Sequence, residues 1–170
     1  MICCEGSVLL KILGIDPGYA IVGYGILNYD GYKFRPLGYG AITTEAGTDF
    51  TLRLMDIYHD METVLDTFKP DAMSIEKLFF NTNQKTGIDV AQARGVIILA
   101  AAERGVPVFE YTPLQVKQSV VGYGRAEKKQ VMEMTRSILG LASVPKPDDT
   151  ADALALAISH GHCSSAIKFY

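Results

Sequence analysis

The sequence predicts an α/β fold, a five-stranded mixed sheet that is mostly parallel and has helices on both faces. Three observations predict it. Three β-rich segments follow one another near the N-terminus with only short turns between them. After Thr43 the apolar residues change to spacings of three and four, the period of an amphipathic helix. From there helical stretches alternate with short apolar strands, the pattern that covers a sheet on both sides. At 170 residues the chain suits a single domain spanning 1–170.

Taken in order, residues 1–7 read as a flexible extension. Val8–Ile15 is the first strand, and it runs into Asp16-Pro17-Gly18. Proline has no N–H and glycine takes backbone angles closed to other residues, so the strand stops there with a carboxylate at its end. Tyr19–Leu27 is the second strand. Asp30-Gly31 marks a hairpin in which both positions want positive φ, and Lys33–Thr43 is the third strand. Phe50, Leu54, Ile57, Met61 and Phe68 form one face of a helix over Asp49–Lys69, capped by Thr48 or Asp49 and ended by Pro70. Ala72–Ile75 is a short strand closed by Glu76. Ile88–Arg104 is a helix with apolar residues nearly all round, so one side should face the sheet and the other a partner subunit, with Ile97→Asp as the probe of that contact. Val106–Tyr111 is the fifth strand. Thr112-Pro113 starts the helix Leu114–Val121, with threonine as cap and proline in the first turn. Gly122-Tyr123-Gly124 ends it. Ala126–Leu139 is a charged amphipathic helix, and Asp149 to about His162 is the last.

Bulk properties exclude several classes. Apolar residues make up 48% and charged residues 21%, ordinary values for a globular protein. No segment reaches the ~18 apolar residues of a membrane span, and no basic stretch leads into an apolar one at the N-terminus. Cys3, Cys4 and Cys163 form no C-x-x-C pair and read as reduced thiols, so a cytoplasmic location is expected. Net charge is −3, yet Lys77 to Arg136 carries +4 and the remainder −7. Segregation of that kind suits a polyanionic partner better than the total does, although a solvated lysine-rich face would look the same.

The chemistry lies in four carboxylates. Asp16 and Glu76 each end an apolar strand, where a charge is costly unless something pairs with it. Asp16 alone could equally be a turn residue before Pro-Gly. Asp149 and Asp152 are i and i+3 on one helix face. Asp148 and Asp149 could be helix-capping acids, but Asp152 is followed by Ala153-Leu154-Ala155-Leu156-Ala157 and gains nothing from capping. Four such groups at one site repel each other, and hard divalent Mg²⁺ with its preference for oxygen ligands would resolve that. Two ions could clamp the attacking and leaving oxygens of a phosphodiester. With few histidines and no cysteine cluster, Mg²⁺ or Mn²⁺ fits better than zinc. His160 and His162 read as helix-surface residues.

Leu13-Gly14-Ile15-Asp16-Pro17-Gly18, Gly23-Tyr24-Gly25, Ile75-Glu76-Lys77-Leu78-Phe79 and Gln92-Ala93-Arg94-Gly95-Val96 resemble the RuvC family of crossover junction endodeoxyribonucleases. So do Val108-Phe109-Glu110-Tyr111, Val116-Lys117-Gln118, Gly122-Tyr123-Gly124, Ala126-Glu127-Lys128 and Asp149-Thr150-Ala151-Asp152-Ala153-Leu154-Ala155. The resemblance spans about Leu9 to His162 in one order. It implies a ribonuclease H-like fold and a homodimeric Holliday junction resolvase. Such an enzyme makes paired symmetric nicks in four-way junction DNA, leaves 5′-phosphates, and works beside the RuvA–RuvB branch-migration complex in recombination and repair. By motif, Asp16, Glu76, Asp149 and Asp152 become the catalytic, metal-binding set. Phe79 becomes the aromatic that stacks on an unpaired base, a contact typically worth ~1–3 kcal/mol. Lys117 and Lys128 match basic residues near the scissile phosphate, and Lys85, Arg94 and Arg125 complete the expected DNA-binding set. The chain departs from the family in its early start, in the extra acid Asp148 and in its acidic net charge. Two rivals are a junction-binding scaffold without catalysis and a phosphate-binding domain of the actin or sugar-kinase type. The latter needs two such domains.

Overall fold

A computed structural model describes residues 9–78 and 84–167. Its five strands are β1 (Leu10–Asp16), β2 (Ile21–Tyr29), β3 (Phe34–Thr43), β4 (Ala72–Glu76) and β5 (Val108–Tyr111). They lie in the order β3-β2-β1-β4-β5, with β1 at the centre. β1–β4 and β4–β5 are parallel, while β1–β2 and β2–β3 are antiparallel. The expected mixed sheet is present, but half of its ladders are antiparallel rather than most being parallel. The reason is the N-terminal meander, whose short turns leave β2 running against the other four strands.

Side chains alternate across a strand, so β1 serves two cores. Leu13 and Ile15 join Val22, Ile26, Met73 and Ile75 beneath α1 (Phe50–Phe68) and α2 (Gln84–Glu103). Ile12 joins Leu27, Tyr29 and Phe34 beneath α3 (Pro113–Val121), α4 (Lys128–Leu139) and α5 (Asp148–Ile167). The same parity sends Asp16 and Glu76 to the α5 face, because Ile15 and Ile75 occupy the other one.

α5 lies very close to the sheet, and two glycines allow it. A Cβ at Gly14 would stand 1.9 Å from the Ala153 carbonyl oxygen, and one at Gly23 would stand 2.0 Å from that of Asp149. Any side chain there would push the helix off its strands. The face it turns to the sheet is correspondingly small and apolar, and residues Ala153 to Ile158 are all buried.

Local signals explain most boundaries. The Asp49 carboxylate accepts from the Thr51 N–H at 2.9 Å, and Lys69 closes α1 in the left-handed region at φ 46°. Thr112 and Gln115 cap α3 reciprocally, with Pro113 in its first turn. At the β2–β3 turn Gly31 has φ 96° but Asp30 is not in the positive-φ region. Its carboxylate instead accepts from the Tyr32 and Lys33 N–H groups at 3.0 and 2.8 Å, which replaces the expected two-residue hairpin geometry. α2 begins at Gln84, four residues before the expected Ile88, and α5 runs on to Ile167 rather than stopping near His162.

The probe residue on α2 is corrected by burial. Ile97 is fully buried in the core under α1, whereas Ile88 and Leu99 are 54% and 53% exposed on the outer face. No helix among the described residues is long and apolar enough to cross a membrane.

Candidate active site

Asp16 is the last residue of β1, and the turn after it is held from outside. The Tyr19 carbonyl oxygen accepts from Thr44 Oγ1 at 2.7 Å, and Arg53 lies over the Tyr19 ring at 4.6 Å. Ile15 pairs with Ile75 in the parallel β1–β4 ladder, so Asp16 and Glu76 sit one step further at the same level of neighbouring strands. α5 descends on them with Asp149 and Asp152 in its first turns. Thr150 Oγ1 donates to the Gly40 carbonyl at 3.0 Å and ties that end of the helix to β3.

Asp16, Glu76 and Asp152 line one cavity of about 190 Å³ together with Lys117 and Lys128. Pro113, Val116, Val131 and Leu156 form its apolar walls. Burial pushes the Asp16 carboxyl up to about 8, and the charges of Glu76, Asp152 and Asp149 push in the same direction. Burial and then Asp152 raise Glu76, while burial raises Asp152 against the opposing pull of Lys128. Lys128 stands 2.8 Å from Asp152 and 3.8 Å from Asp148, and its ammonium is held up chiefly by the Asp152 hydrogen bond. Lys128 opposes the upward shift of Asp16, Glu76 and Asp152, and burial outweighs it at all three.

Asp148 and Asp149 differ in their neighbours. Asp148 pairs with Lys146 at 2.6 Å, which lowers its carboxyl, and it does not line the cavity. Asp149 does not line it either, but its charge reaches both Asp16 and Asp152. Among the described residues no three His, Cys, Asp or Glu side chains are already closed around one ion position. Asp16, Glu76 and Asp152 are instead gathered about a shared space.

The other expected residues divide. Lys117 and Lys128 line the cavity, and Arg125 is exposed in the turn between α3 and α4. Arg94, expected at the DNA, has its guanidinium turned inward to the Glu76 carbonyl oxygen and to Glu110. Phe79 and the side chain of Lys85 lie outside the described residues. His160 is not on the surface. It is 6% exposed, shares a 2.8 Å hydrogen bond with the Tyr111 hydroxyl, and packs on Phe109 with ring centroids 4.4 Å apart. Burial lowers the pKa of its imidazole. His162 is exposed as expected, beside Ser119. Sequence reasoning gave Gly14 and Gly23 no part in the site. Glycine inside an apolar strand was the available signal, since it often marks close approach of another backbone.

Residues 12–160 match the family model described as crossover junction endodeoxyribonuclease RuvC. The chain is 60% identical over 151 residues to the crossover junction endodeoxyribonuclease RuvC of Ruminiclostridium cellulolyticum, covering 89% of this chain and 91% of that protein. It is 60% identical over 159 residues to the protein of that name from Brevibacillus brevis, covering 94% and 96%. Among solved structures it resembles Thermus thermophilus RuvC with a TM-score of 0.85 at 37% identity, over 91% of this chain and 95% of that one. It also resembles T. thermophilus RuvC in complex with Holliday junction substrate, with a TM-score of 0.84 at 35% identity over the same shares. The sheet with helices on both faces is thus a ribonuclease H-like fold, and the chain belongs to the RuvC family of crossover junction endodeoxyribonucleases.

Proposed function

We propose that this endonuclease resolves Holliday junctions at the cavity between β1, β4 and α5, with Asp16, Glu76, Asp149 and Asp152 as its catalytic, metal-binding carboxylates. The observation that carries the proposal is the gathering of acids from three chain segments, with burial and neighbouring charge holding Asp16 up to about 8. Such a site stores repulsion that an added cation relieves.

The residues fit a hard divalent ion. All four proposed donors are carboxylates, and Asp16, Glu76 and Asp152 line the cavity. Mg²⁺, as two ions, is the proposed cofactor, with Mn²⁺ as a substitute. When bound, it supplies an acidified water and charge stabilisation at the phosphodiester. The protein's own part is positional. β1 and β4 set Asp16 and Glu76 side by side, and α5 brings Asp149 and Asp152 over them. Lys128, at the cavity mouth, is placed to exchange Asp152 for a phosphate oxygen. Lys117, Arg125 and Lys128 form the described part of the proposed DNA path, with Phe79 and Lys85 as further contacts.

Paired symmetric nicks follow if two copies meet about a two-fold axis, since a four-way junction offers two equivalent strands. The exposed face of α2, with Ile88 and Leu99, is the proposed contact. Cooperation with RuvA–RuvB in the cytoplasm, in recombination and repair, completes the reading.

One assay tests it. A synthetic four-way junction with Mg²⁺ should receive symmetric nicks with 5′-phosphate ends. Asp16→Asn should bind the junction and leave it uncut. Wild-type cleavage by that variant would refute the site assignment. Binding without cleavage by the wild-type protein would favour the scaffold reading.

A further inference from the structure

We infer that Arg94 is a positioning residue for the Glu76 carboxylate, acting through the peptide group that follows it rather than through DNA. The inference rests on the metal-site reading above.

Glu76 is the last residue of β4, so the sheet supports it on one side only. The peptide joining Glu76 to Lys77 is nevertheless held at both ends. Its N–H donates to the Tyr111 carbonyl oxygen at 2.9 Å. Its carbonyl oxygen accepts from Arg94 Nε at 3.1 Å. The neighbouring strand cannot supply that second bond in the ordinary way, because β1 continues into Pro17, which has no N–H. The arginine reaches across from α2 to do it.

Arg94 is itself held. Its terminal nitrogen pairs with Glu110, which lies opposite Ile75 in the β4–β5 ladder. The Arg94 side chain is only 15% exposed. One planar guanidinium thus joins α2, the end of β4 and β5. A lysine ammonium lacks that fork and cannot make both contacts in one geometry. Fixing this peptide plane fixes the direction in which the Glu76 side chain leaves the strand.

The test uses full-length Arg94→Lys, with Glu110→Ala as a second variant that leaves the arginine in place. Three quantities are measured for each. They are Mn²⁺ affinity by calorimetry without DNA, junction affinity in EDTA, and single-turnover cleavage with saturating protein. Removing a group that orients a metal ligand typically costs about 10- to 100-fold, so Arg94→Lys should lose that much in Mn²⁺ affinity and in cleavage rate. Junction affinity in EDTA should stay within about twofold, since no phosphate contact is removed. Glu110→Ala should shift the same two quantities by a smaller factor. A weaker junction affinity with unchanged Mn²⁺ affinity and cleavage rate would make Arg94 a DNA contact and overturn the inference. Wild-type values of all three in both variants would also overturn it. Asp16→Asn is run alongside: if that variant cuts normally, the metal-site reading has failed, whatever Arg94 does.

Discussion

Replacing Gly23 with alanine tests how the site is assembled. Gly23 pairs with Asp16 across the β1–β2 ladder and lies under the start of α5. A Cβ there would stand 2.0 Å from the Asp149 carbonyl oxygen and 2.9 Å from the Thr150 nitrogen. Ordinary contact begins near 3.4 Å, so the first turn of α5 must move by about 1.4 Å to accept one methyl group. The obstacle is backbone and cannot rotate aside. Overpacking of this kind costs about 1–3 kcal/mol, which for a domain of this size lowers Tm by roughly 2–12 °C. The larger effect falls on chemistry. The turn that moves carries Asp149 and leads directly into Asp152, and a 1 Å misplacement at a reacting centre can cost about 10²-fold. Gly25→Ala is the internal control. Its Cβ meets Leu154 Cδ2 at 2.5 Å, a side chain that can shift, so stability should fall while most cleavage survives. Thermal melts and single-turnover junction cleavage measure both variants. Gly23→Ala with wild-type melting and wild-type cleavage would refute the close-packing account of the site.

Metal-free protein should lose stability as pH rises from about 4 towards 8. The folded Asp16 carboxyl holds its proton to about 8 against 3.8 ordinarily, so the native state binds more protons across that window. The slope from this one group is at most about 1.4 kcal/mol per pH unit. Asp16→Asn should flatten it in melts taken in EDTA, and an unchanged slope would place the repulsion elsewhere. Tyr111→Phe removes the partner of buried His160 and should cost about 1–3 kcal/mol in urea unfolding; no loss would mean the imidazole is satisfied without the hydroxyl. Leu99→Glu, on the exposed face of α2, should give a folded monomer by sedimentation, and a persistent dimer would reject that face as the contact. Ile97→Asp instead buries a charge in the core and should yield little folded protein, as read by circular dichroism.

Much of the fold was legible in the sequence because its signals are local. Pro17-Gly18 stops β1 after Asp16, Thr112-Pro113 starts α3, and the spacing of Ile57, Met61 and Phe68 defines the inner face of α1. Periodicity reports that a helix is apolar but not which of its sides is covered. α2 is apolar nearly all round, and only packing against α1 and the sheet reveals that Ile97 is inside and Leu99 outside. His160 was misread for a related reason, and the inward turn of Arg94 went unseen for the same one. A polar side chain in a helix looks like a surface group until its distant partners are known, here Tyr111 and the Glu76–Glu110 pair.

The sequence by itself determined the acids and the strands and helix that carry them, since strand ends, caps and i,i+3 spacing depend on a few adjacent residues. The tertiary structure decided that Asp16, Glu76 and Asp152 share one cavity. Parallel pairing of β1 with β4 sets Asp16 beside Glu76 across 60 residues of chain, and glycines at 14 and 23 let α5 down onto both. Neither is local, because each depends on surfaces that meet only when the chain has folded.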